Sequence, residues 1–286
     1  MSSVPSAYTI KNDGLELVIA LMEINRLLAH EETIPESLNA LAARIQRDGV
    51  QSAPILVDRD SLVVLDGMHR MAAMRMLGCR FICVCMLDYE HSSIEVHKWC
   101  REVAEPFNEE KAREVTSSIG LSMTLQSKNV DLEQEREVVL VFRDKAYRVT
   151  GSNVDIENVL RVCYELECRL KALGYRVDHF TESEAVERVK NGSYAAAFCP
   201  PLIDKSQIVE LASKHKVMIP KATRHKLPAR PVQVNVPLSL LTDKDMSVEE
   251  ANRVLGDMLR KKKLRRYNPG AEWMGRKYNE VLYVFG

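Results

Sequence analysis

Apolar and polar residues follow one another along the chain in patterns that predict strands and helices in turn. Residues 15–24 and 81–86 are almost continuously apolar, which is typical of buried strands. Residues 35–48 place apolar side chains on one helical face, with Pro35 in the first turn and Gly49 as the stop. The first hundred residues are therefore predicted to form a compact unit of strands and helices.

A second alternation of strand and helix patterns begins at residues 138–142. Helix patterns follow over residues 159–173, 184–191, 205–216 and 247–262, and strand patterns over 177–180, 195–199, 232–241 and 280–285. Residues 104–135 are polar and helix-prone, with few core signals. We therefore predict a mixed α/β (α+β) fold with an N-terminal domain over 1–103, a connector over 104–135 and a C-terminal α/β domain over 136–286.

The charge balance bears on the class of partner. Lys and Arg total 40, as do Asp and Glu, so the formal net charge is zero. A constitutive nucleic-acid binder usually carries a basic surplus, so the balance argues against a nucleic-acid partner. Residues 260–266 are locally basic, but without interleaved aromatic residues they are better interpreted as a solvated helix end that the dipole favours.

Seven cysteines are present and none forms a Cys-x-x-Cys motif. We expect mostly small buried thiols in a reducing compartment, and we find no Cys and His residues at metal-ligand spacing. The N-terminus lacks a hydrophobic signal core, and no apolar stretch is long enough to span a bilayer. These features predict a soluble cytoplasmic protein without a membrane partner, and they leave its oligomeric state open.

One corner of the chain carries candidate chemistry. A short apolar run ends at Asp66 and Gly67, and a helix pattern begins at once with Met68, His69 and Arg70. The free N–H groups of a first helical turn and the helix dipole form a seat for an anion, and a glycine lets the backbone come close. We interpret this corner as a phosphate-binding site. The alternative is a strand–turn–helix in which Asp66 caps the helix and Arg70 is solvated.

The residues of this corner also resemble a known motif. Asp-Gly-x-His-Arg followed by a helix of small residues is similar to the nucleotide box of the ParB/sulfiredoxin superfamily. Sulfiredoxins have a reactive Cys where this chain has Met68, and partition-type ParB proteins have Gly-Glu-Arg-Arg and a helix-turn-helix domain. The box is most similar to that of the free L-serine kinases, whose archaeal form usually has His at the position of Met68.

Further segments resemble the same kinases in the same order. A His-Glu pair ends at Glu31, and residues 87–89 precede Trp99 by the spacing seen in that family. Residues 220–228 are similar to its Pro-Lys-x-Thr-Arg-His-x-Leu-Pro segment, and residues 236–241 resemble the siderophore-cluster enzymes. The resemblance therefore runs from about residue 15 to about residue 241.

The resemblance implies a ParB/sulfiredoxin-like N-terminal domain and a specific activity. The chain would transfer a phosphoryl group from ADP or ATP to the hydroxyl of free L-serine, with Mg²⁺ as cofactor. The product, O-phospho-L-serine, would serve as a precursor for cysteine or for a siderophore building block. Two rivals stay open: a kinase for another small hydroxylated acceptor, and a ParB-like nucleotide-dependent regulator that binds DNA through residues 260–266.

Glu31 and Asp66 are the expected catalytic residues. Glu31 aligns with the family's catalytic Glu, and Asp66 would hold Mg²⁺ or orient the serine hydroxyl. On residue chemistry alone, Glu32 is an equal competitor for the role of base. The resemblance implies that the nucleotide and its phosphates are bound by Asp66, Gly67, Met68, His69, Arg70, Thr223 and Arg224, and serine by Trp99, Lys221, Thr223 and His225.

Residue chemistry supports these binding roles but does not require them. Residues 221–225 concentrate hydrogen-bond donors suited to a carboxylate or a phosphate, and Trp99 offers an aromatic face to a cation. The alternatives are a basic surface loop over 221–225 and an ordinary core aromatic at Trp99.

Overall fold

Strands and helices alternate throughout the computed structural model, which describes residues 6–126, 131–132, 135–151 and 156–286. The expected mixed α/β class is confirmed. No helix in these ranges is both long and apolar enough to cross a membrane.

The helices are Pro35–Asp48 (α1), Met68–Met76 (α2), Glu109–Ser118 (α3), Ile156–Ala172 (α4), Glu182–Lys190 (α5), Lys205–Ser213 (α6), Leu238–Leu241 (α7) and Val248–Arg260 (α8). The strands are Tyr8–Asn12 (β1), Leu15–Glu23 (β2), Val50–Gln51 (β3), Ile55–Asp58 (β4), Val64–Asp66 (β5), Phe81–Leu87 (β6), Glu95–His97 (β7), Cys100–Val103 (β8), Ser122–Leu125 (β9), Val138–Phe142 (β10), Ala146–Thr150 (β11), Val177–Phe180 (β12), Ala196–Cys199 (β13), Arg224–Lys226 (β14), Ala229–Val232 (β15), Val236–Pro237 (β16), Leu264–Tyr267 (β17), Glu272–Trp273 (β18), Arg276–Lys277 (β19) and Val281–Phe285 (β20).

The chain divides into two compact units. One holds the described residues up to Glu95 together with Lys205–Val217 and His225–Gly286, and the other holds Val96–Asp204 and Met218–Arg224. We call them the first and the second unit. This division differs from the expected domains over 1–103 and 136–286, because the C-terminal strands and α8 pair and pack with elements of the first unit. Such long-range pairing leaves no local mark in a sequence.

The first unit is built on a five-stranded sheet in the order β1-β2-β6-β4-β5. β4 runs parallel to β6 and the other neighbours are antiparallel. Pairing with β1 stops before Leu21, and the side chain of Asn252 in α8 takes its place. Its Oδ1 accepts from the Leu21 N–H at 2.7 Å and its Nδ2 donates to the Leu21 carbonyl at 2.9 Å. α8 is thereby fixed to the sheet through satisfied backbone groups.

The second unit is built on a six-stranded antiparallel sheet in the order β12-β8-β13-β10-β11-β9. Its core side chains come from β8, β10, β13 and α5. The range expected to be a connector, 104–135, contributes α3 and β9 to this unit, while its residues 127–130 and 133–134 lie outside the described residues.

The cysteines depart from expectation at one pair. Cys100 in β8 and Cys199 in β13 form a disulfide between neighbouring strands, so the prediction of unpaired thiols is wrong for these two. They are 99 residues apart in the sequence, and that spacing gives no sign of the contact. Free and buried, as expected, are Cys79, Cys83, Cys85 and Cys163.

Candidate active site

The expected strand–turn–helix corner is present in the first unit. β5 ends at Asp66, Gly67 turns the chain with φ +107°, and α2 begins at Met68. A Cβ at Gly67 would lie 2.5 Å from Cγ2 of Ile55, so the turn needs glycine both for its dihedral angle and for its packing. No side chain caps α2 at Gly67. The N–H groups of a first helical turn have no partner within the helix, which gives a helix start its capacity to bind an anion.

Asp66 does not act as a helix cap, which removes the simpler interpretation of the corner. Its Oδ2 accepts a hydrogen bond from Nη1 of Arg230 at 2.9 Å, and Nε of Arg230 donates to Glu280. Partial burial raises the pKa of Asp66. Arg230, Arg70 and Arg276 together lower it by more, so the pKa of Asp66 lies below its usual value. Asp66 is therefore held as a carboxylate beside a cluster of positive charge.

His69 and Arg70 were expected to donate to phosphate, but each uses one side-chain nitrogen in a hydrogen bond to the protein backbone. Nε2 of His69 accepts from the N–H of Ile34 at 2.9 Å, which joins the first turn of α2 to the loop before α1. Nη1 of Arg70 donates to the carbonyl of Pro54 at 2.8 Å. Nε2 of His69 is therefore an acceptor in this structure and does not donate to a ligand.

The loop before α1 carries both candidate bases. Glu31 is 12 % exposed, and its Oε1 lies 3.7 Å from Nε2 of the buried His30. Glu32 is exposed. The two carboxylates and the side chain of Met68 line one cavity of about 390 Å³, which α2 closes on the other side. The structure thus places the loop beside α2, on the helix side that is lined by Met68, Met71, Ala72 and Arg75.

His225 lies in the first unit, next to Tyr89 and His30. Its Nε2 is 2.7 Å from the hydroxyl of Tyr89, and its ring centroid is 5.4 Å from that of His30. Burial and then the neighbouring His30 lower the pKa of His225 to about 3, whereas Glu31 and Asp66 act to raise it. His225 is therefore a neutral imidazole at physiological pH.

The remaining expected site residues belong to the second unit, where they gather around Trp99. Nζ of Lys221 lies 4.9 Å from the centre of the Trp99 ring, and the guanidinium carbon of Arg224 lies 5.8 Å from it. Arg224 also pairs with Glu182 at 3.0 Å. Thr223, which precedes Arg224 in the chain, is buried. The structure thus assembles an aromatic face with two cations, a set of groups suited to an amino acid's carboxylate.

Sequence reasoning missed the groups that support these side chains. Arg230 and Glu280 fix Asp66, Tyr89 bonds His225, and Glu182 holds Arg224. Arg230 lies two residues after the matched segment 220–228, but its partner Glu280 lies fifty residues further on, without a pattern that connects the two.

A metal site made by the protein alone is not seen in the part of the chain that the structure describes: no three His, Cys, Asp or Glu side chains converge there. The side chain of Asp66 is 40 % exposed, and the bond from Arg230 occupies only Oδ2. One carboxylate oxygen is enough for Mg²⁺ when phosphate oxygens and water supply the other ligands. The residues present therefore fit a nucleotide-bound Mg²⁺ and no dedicated metal cage.

Comparison with known proteins agrees with the resemblance seen in the sequence. No family model matches the chain. It is 27 % identical to the ATP-dependent L-serine kinase of Staphylothermus marinus, over 77 % of this chain and 90 % of that protein. It is 23 % identical to the ADP-dependent L-serine kinase SerK of Thermococcus kodakarensis, over 77 % of this chain and 91 % of that protein.

A solved structure shares the fold. A free serine kinase variant in complex with AMP superposes with a TM-score of 0.67 at 20 % identity, over 78 % of this chain and 93 % of that one. At this identity the match speaks for the fold alone. Together with the curated relatives, it confirms the resemblance to the free L-serine kinases that the sequence motifs indicate.

Proposed function

We propose, from its homology to curated L-serine kinases over most of its length, that this chain is a free L-serine kinase. It transfers the terminal phosphoryl group of ATP or ADP to the hydroxyl of serine and releases O-phospho-L-serine. The relatives include ATP-dependent and ADP-dependent L-serine kinases, so either nucleotide is taken as the phosphoryl donor. The expected cytoplasmic location would supply both donors.

One observation carries the proposal for the site: the loop that bears Glu31 lies beside the first turn of α2, where Glu31 and Met68 line one cavity and the N–H of Ile34 donates to Nε2 of His69. A kinase must bring a phosphate seat, a carboxylate near the attacking hydroxyl and compensating positive charge into one place. The first unit supplies the seat at α2, the carboxylate at Glu31 and positive charge at Arg70 and Arg230.

In the proposed reaction, the serine hydroxyl oxygen forms a bond to the terminal phosphorus while the bond to the bridging oxygen breaks. The hydroxyl proton passes to the carboxylate of Glu31, and the shortened nucleotide leaves with the bridging oxygen. Backbone N–H groups at Met68, His69 and Arg70 stabilise the charge on the transferred group. Most of the rate would come from this positioning and electrostatic stabilisation.

Mg²⁺ would be held by Asp66 together with the nucleotide phosphates. When bound, it neutralises phosphate charge. The protein's own part is to keep Asp66 ionised and oriented, which the bond from Arg230 does.

Serine recognition is assigned to Trp99, Lys221 and Thr223 of the second unit. Free serine is a zwitterion, so its site needs donors for a carboxylate and a partner for an ammonium. Lys221 and Thr223 supply donors for the carboxylate, and Trp99, whose ring already faces Lys221 and Arg224, packs against the substrate.

The test is incubation of the purified protein with Mg²⁺, L-serine and either ATP or ADP, followed by mass analysis of the products. We expect O-phospho-L-serine, with ADP formed from ATP or AMP formed from ADP, which identifies the donor. Omission of Mg²⁺ in the presence of a chelator should abolish the product. L-threonine and glycerol serve as matched acceptors.

Phosphorylation of threonine or glycerol in preference to serine would support the rival acceptor. If no acceptor is phosphorylated and the protein binds duplex DNA with an affinity that falls steeply with salt, the kinase assignment fails and the DNA-binding rival stands.

A further inference from the structure

Arg101 in β8 is the most completely buried cation of the second unit that has no assigned role. Its side chain is 0 % exposed. A guanidinium withdrawn from water is tolerated only when its charge and its N–H groups are matched by acceptors. Arg101 meets this need with one carboxylate and three backbone carbonyls.

The carboxylate belongs to Glu167 in α4. Nε of Arg101 donates to Oε2 of Glu167 at 3.0 Å, and Glu167 is itself held by Lys171 at 2.6 Å and lies 3.4 Å from His179. Burial raises the pKa of Glu167, but His179, Arg101 and Lys171 lower it by more, so it is an anion. Arg101 is therefore anchored at a fixed point on α4.

The other two nitrogens of Arg101 bind the backbone around the proposed serine-binding residues. Nη1 donates to the carbonyl of Trp99 at 2.8 Å and to that of Lys221 at 3.0 Å, and Nη2 donates to the carbonyl of Pro220 at 2.9 Å. Trp99 and Lys221 are more than a hundred residues apart in the sequence. The planar fork of one side chain thus joins two segments that the chain itself does not connect.

The backbone at Lys221 needs such support. Its φ is +61°, a conformation that is uncommon for a residue with a Cβ and that costs free energy. In this conformation Nζ of Lys221 lies 4.9 Å from the centre of the Trp99 ring. If the carbonyls of Pro220 and Lys221 lost their donors, the loop could relax and this distance would change.

We propose that Arg101 is the positioning residue of the serine site: it sets the separation of Trp99 and Lys221 and thereby the affinity for serine. The inference rests on the proposed function for the identity of the ligand, but not for the geometry. Arg101 would not touch the substrate, and it acts through the two side chains whose backbone it holds.

The test compares Arg101→Lys with Arg188→Lys. Lysine keeps the charge but lacks the fork, so it cannot reach the three carbonyls together. Arg188 is the matched control, because it pairs with the buried Glu102 of the same strand and binds no backbone near Lys221. For Arg101→Lys we expect the KM for serine to rise about tenfold or more, with the KM for nucleotide within threefold of the parent. Arg188→Lys should leave both KM values near those of the parent.

A second readout is independent of catalysis. The chain has two tryptophans, so Trp273→Phe leaves Trp99 as the sole tryptophan. In that background, Arg101→Lys should shift the emission of Trp99, and Arg188→Lys should not. Glu167→Gln weakens the ion pair with Arg101 but leaves the bonds from Arg101 to the backbone carbonyls. It should raise the serine KM less than Arg101→Lys does. If Arg101→Lys fails to fold, Glu167→Gln tests the positioning role in its place.

An unchanged serine KM and unchanged Trp99 emission in folded Arg101→Lys, or in Glu167→Gln if the first variant is unfolded, would overturn the inference. A parent protein that makes no phosphoserine would instead overturn the proposed function, and the emission of Trp99 would still test the positioning role.

Discussion

Arg230 donates from Nη1 to Oδ2 of Asp66 over 2.9 Å, although the two residues are 164 positions apart in the sequence. The same guanidinium bonds Glu280 through Nε, so Asp66 is held by a chain of two ion pairs that starts at the beginning of β20. The C-terminal part of the chain therefore controls the carboxylate that ends β5. A group whose ionisation is fixed in this way suits a site for phosphate and metal.

Replacement of Arg230 by Met should make activity more sensitive to acid. Asp66 has a pKa below its usual value despite burial, because Arg230, Arg70 and Arg276 stabilise its carboxylate. The carboxylate form is therefore present above that lowered pKa and is lost as the pH falls through it. Without Arg230 the pKa of Asp66 rises, and the acidic limb of kcat/KM should move to higher pH. The pH–rate profile measures this shift.

Arg265→Met is the control for that experiment, because Arg265 is an exposed residue of β17. Its profile should coincide with that of the parent. Coincident acidic limbs for the parent and Arg230→Met would show that Asp66 does not need to be ionised for the reaction.

Glu31→Gln should reduce kcat by a factor of about 10² to 10⁴, since the amide cannot accept the hydroxyl proton. Nucleotide affinity, measured by calorimetry, should stay within a factor of about three, because the phosphate seat at α2 is intact. Glu32→Gln is the matched control. Glu32 lines the same cavity but is exposed, so its kcat should be nearly that of the parent. The opposite ranking of the two variants would transfer the role of base to Glu32.

Gly67→Ala should destabilise the protein more than Gly78→Ala, at the other end of α2. Both glycines have positive φ, and a side chain in that region costs about 1–2 kcal/mol. At Gly67 the new Cβ would also lie 2.5 Å from Ile55, which adds an overpacking cost of about 1–3 kcal/mol, whereas nothing lies within 4 Å of a Cβ at Gly78. Urea unfolding measures both. Equal losses would mean that the backbone at Gly67 relaxes freely away from Ile55.

Local signals in the sequence predicted the elements that position the site. α1 was expected from Pro35 to residue 48 and is found as Pro35–Asp48, because a proline in the first turn and a glycine after the last are decided within the segment itself. α8 begins after Ser247, whose hydroxyl accepts from the N–H of Glu250, and so starts within the range 247–262 that was predicted as a helix. Likewise, Asp66, Gly67 and the start of α2 could be located from the change of apolar pattern.

The groups that hold the site in place could not be predicted from such signals. Arg101 reaches Pro220 and Lys221, and Arg230 reaches Asp66, over more than a hundred residues in each case. The sequence does not show whether an arginine is buried or exposed, because tertiary packing decides its burial and its hydrogen-bond partners. The resemblance to serine kinases supplied the candidate ligand-binding residues, but not the residues that support them.

His225 should make folding stability depend on pH in a defined window. In the unfolded chain its imidazole takes up a proton near the reference pKa of 6.5, whereas in the folded protein burial and His30 lower the pKa to about 3. Below pH 6.5 the unfolded state binds a proton that the folded state does not, so the free energy of unfolding falls as the pH falls from about 6.5 toward 3.

His225→Gln removes this contribution. The loss of unfolding free energy between pH 7 and pH 5, measured with urea, should be smaller in His225→Gln than in the parent, while His215→Gln, at an exposed position, should behave as the parent. Parallel pH dependences for the parent and His225→Gln would mean that His225 is protonated in the folded protein and is not a neutral imidazole.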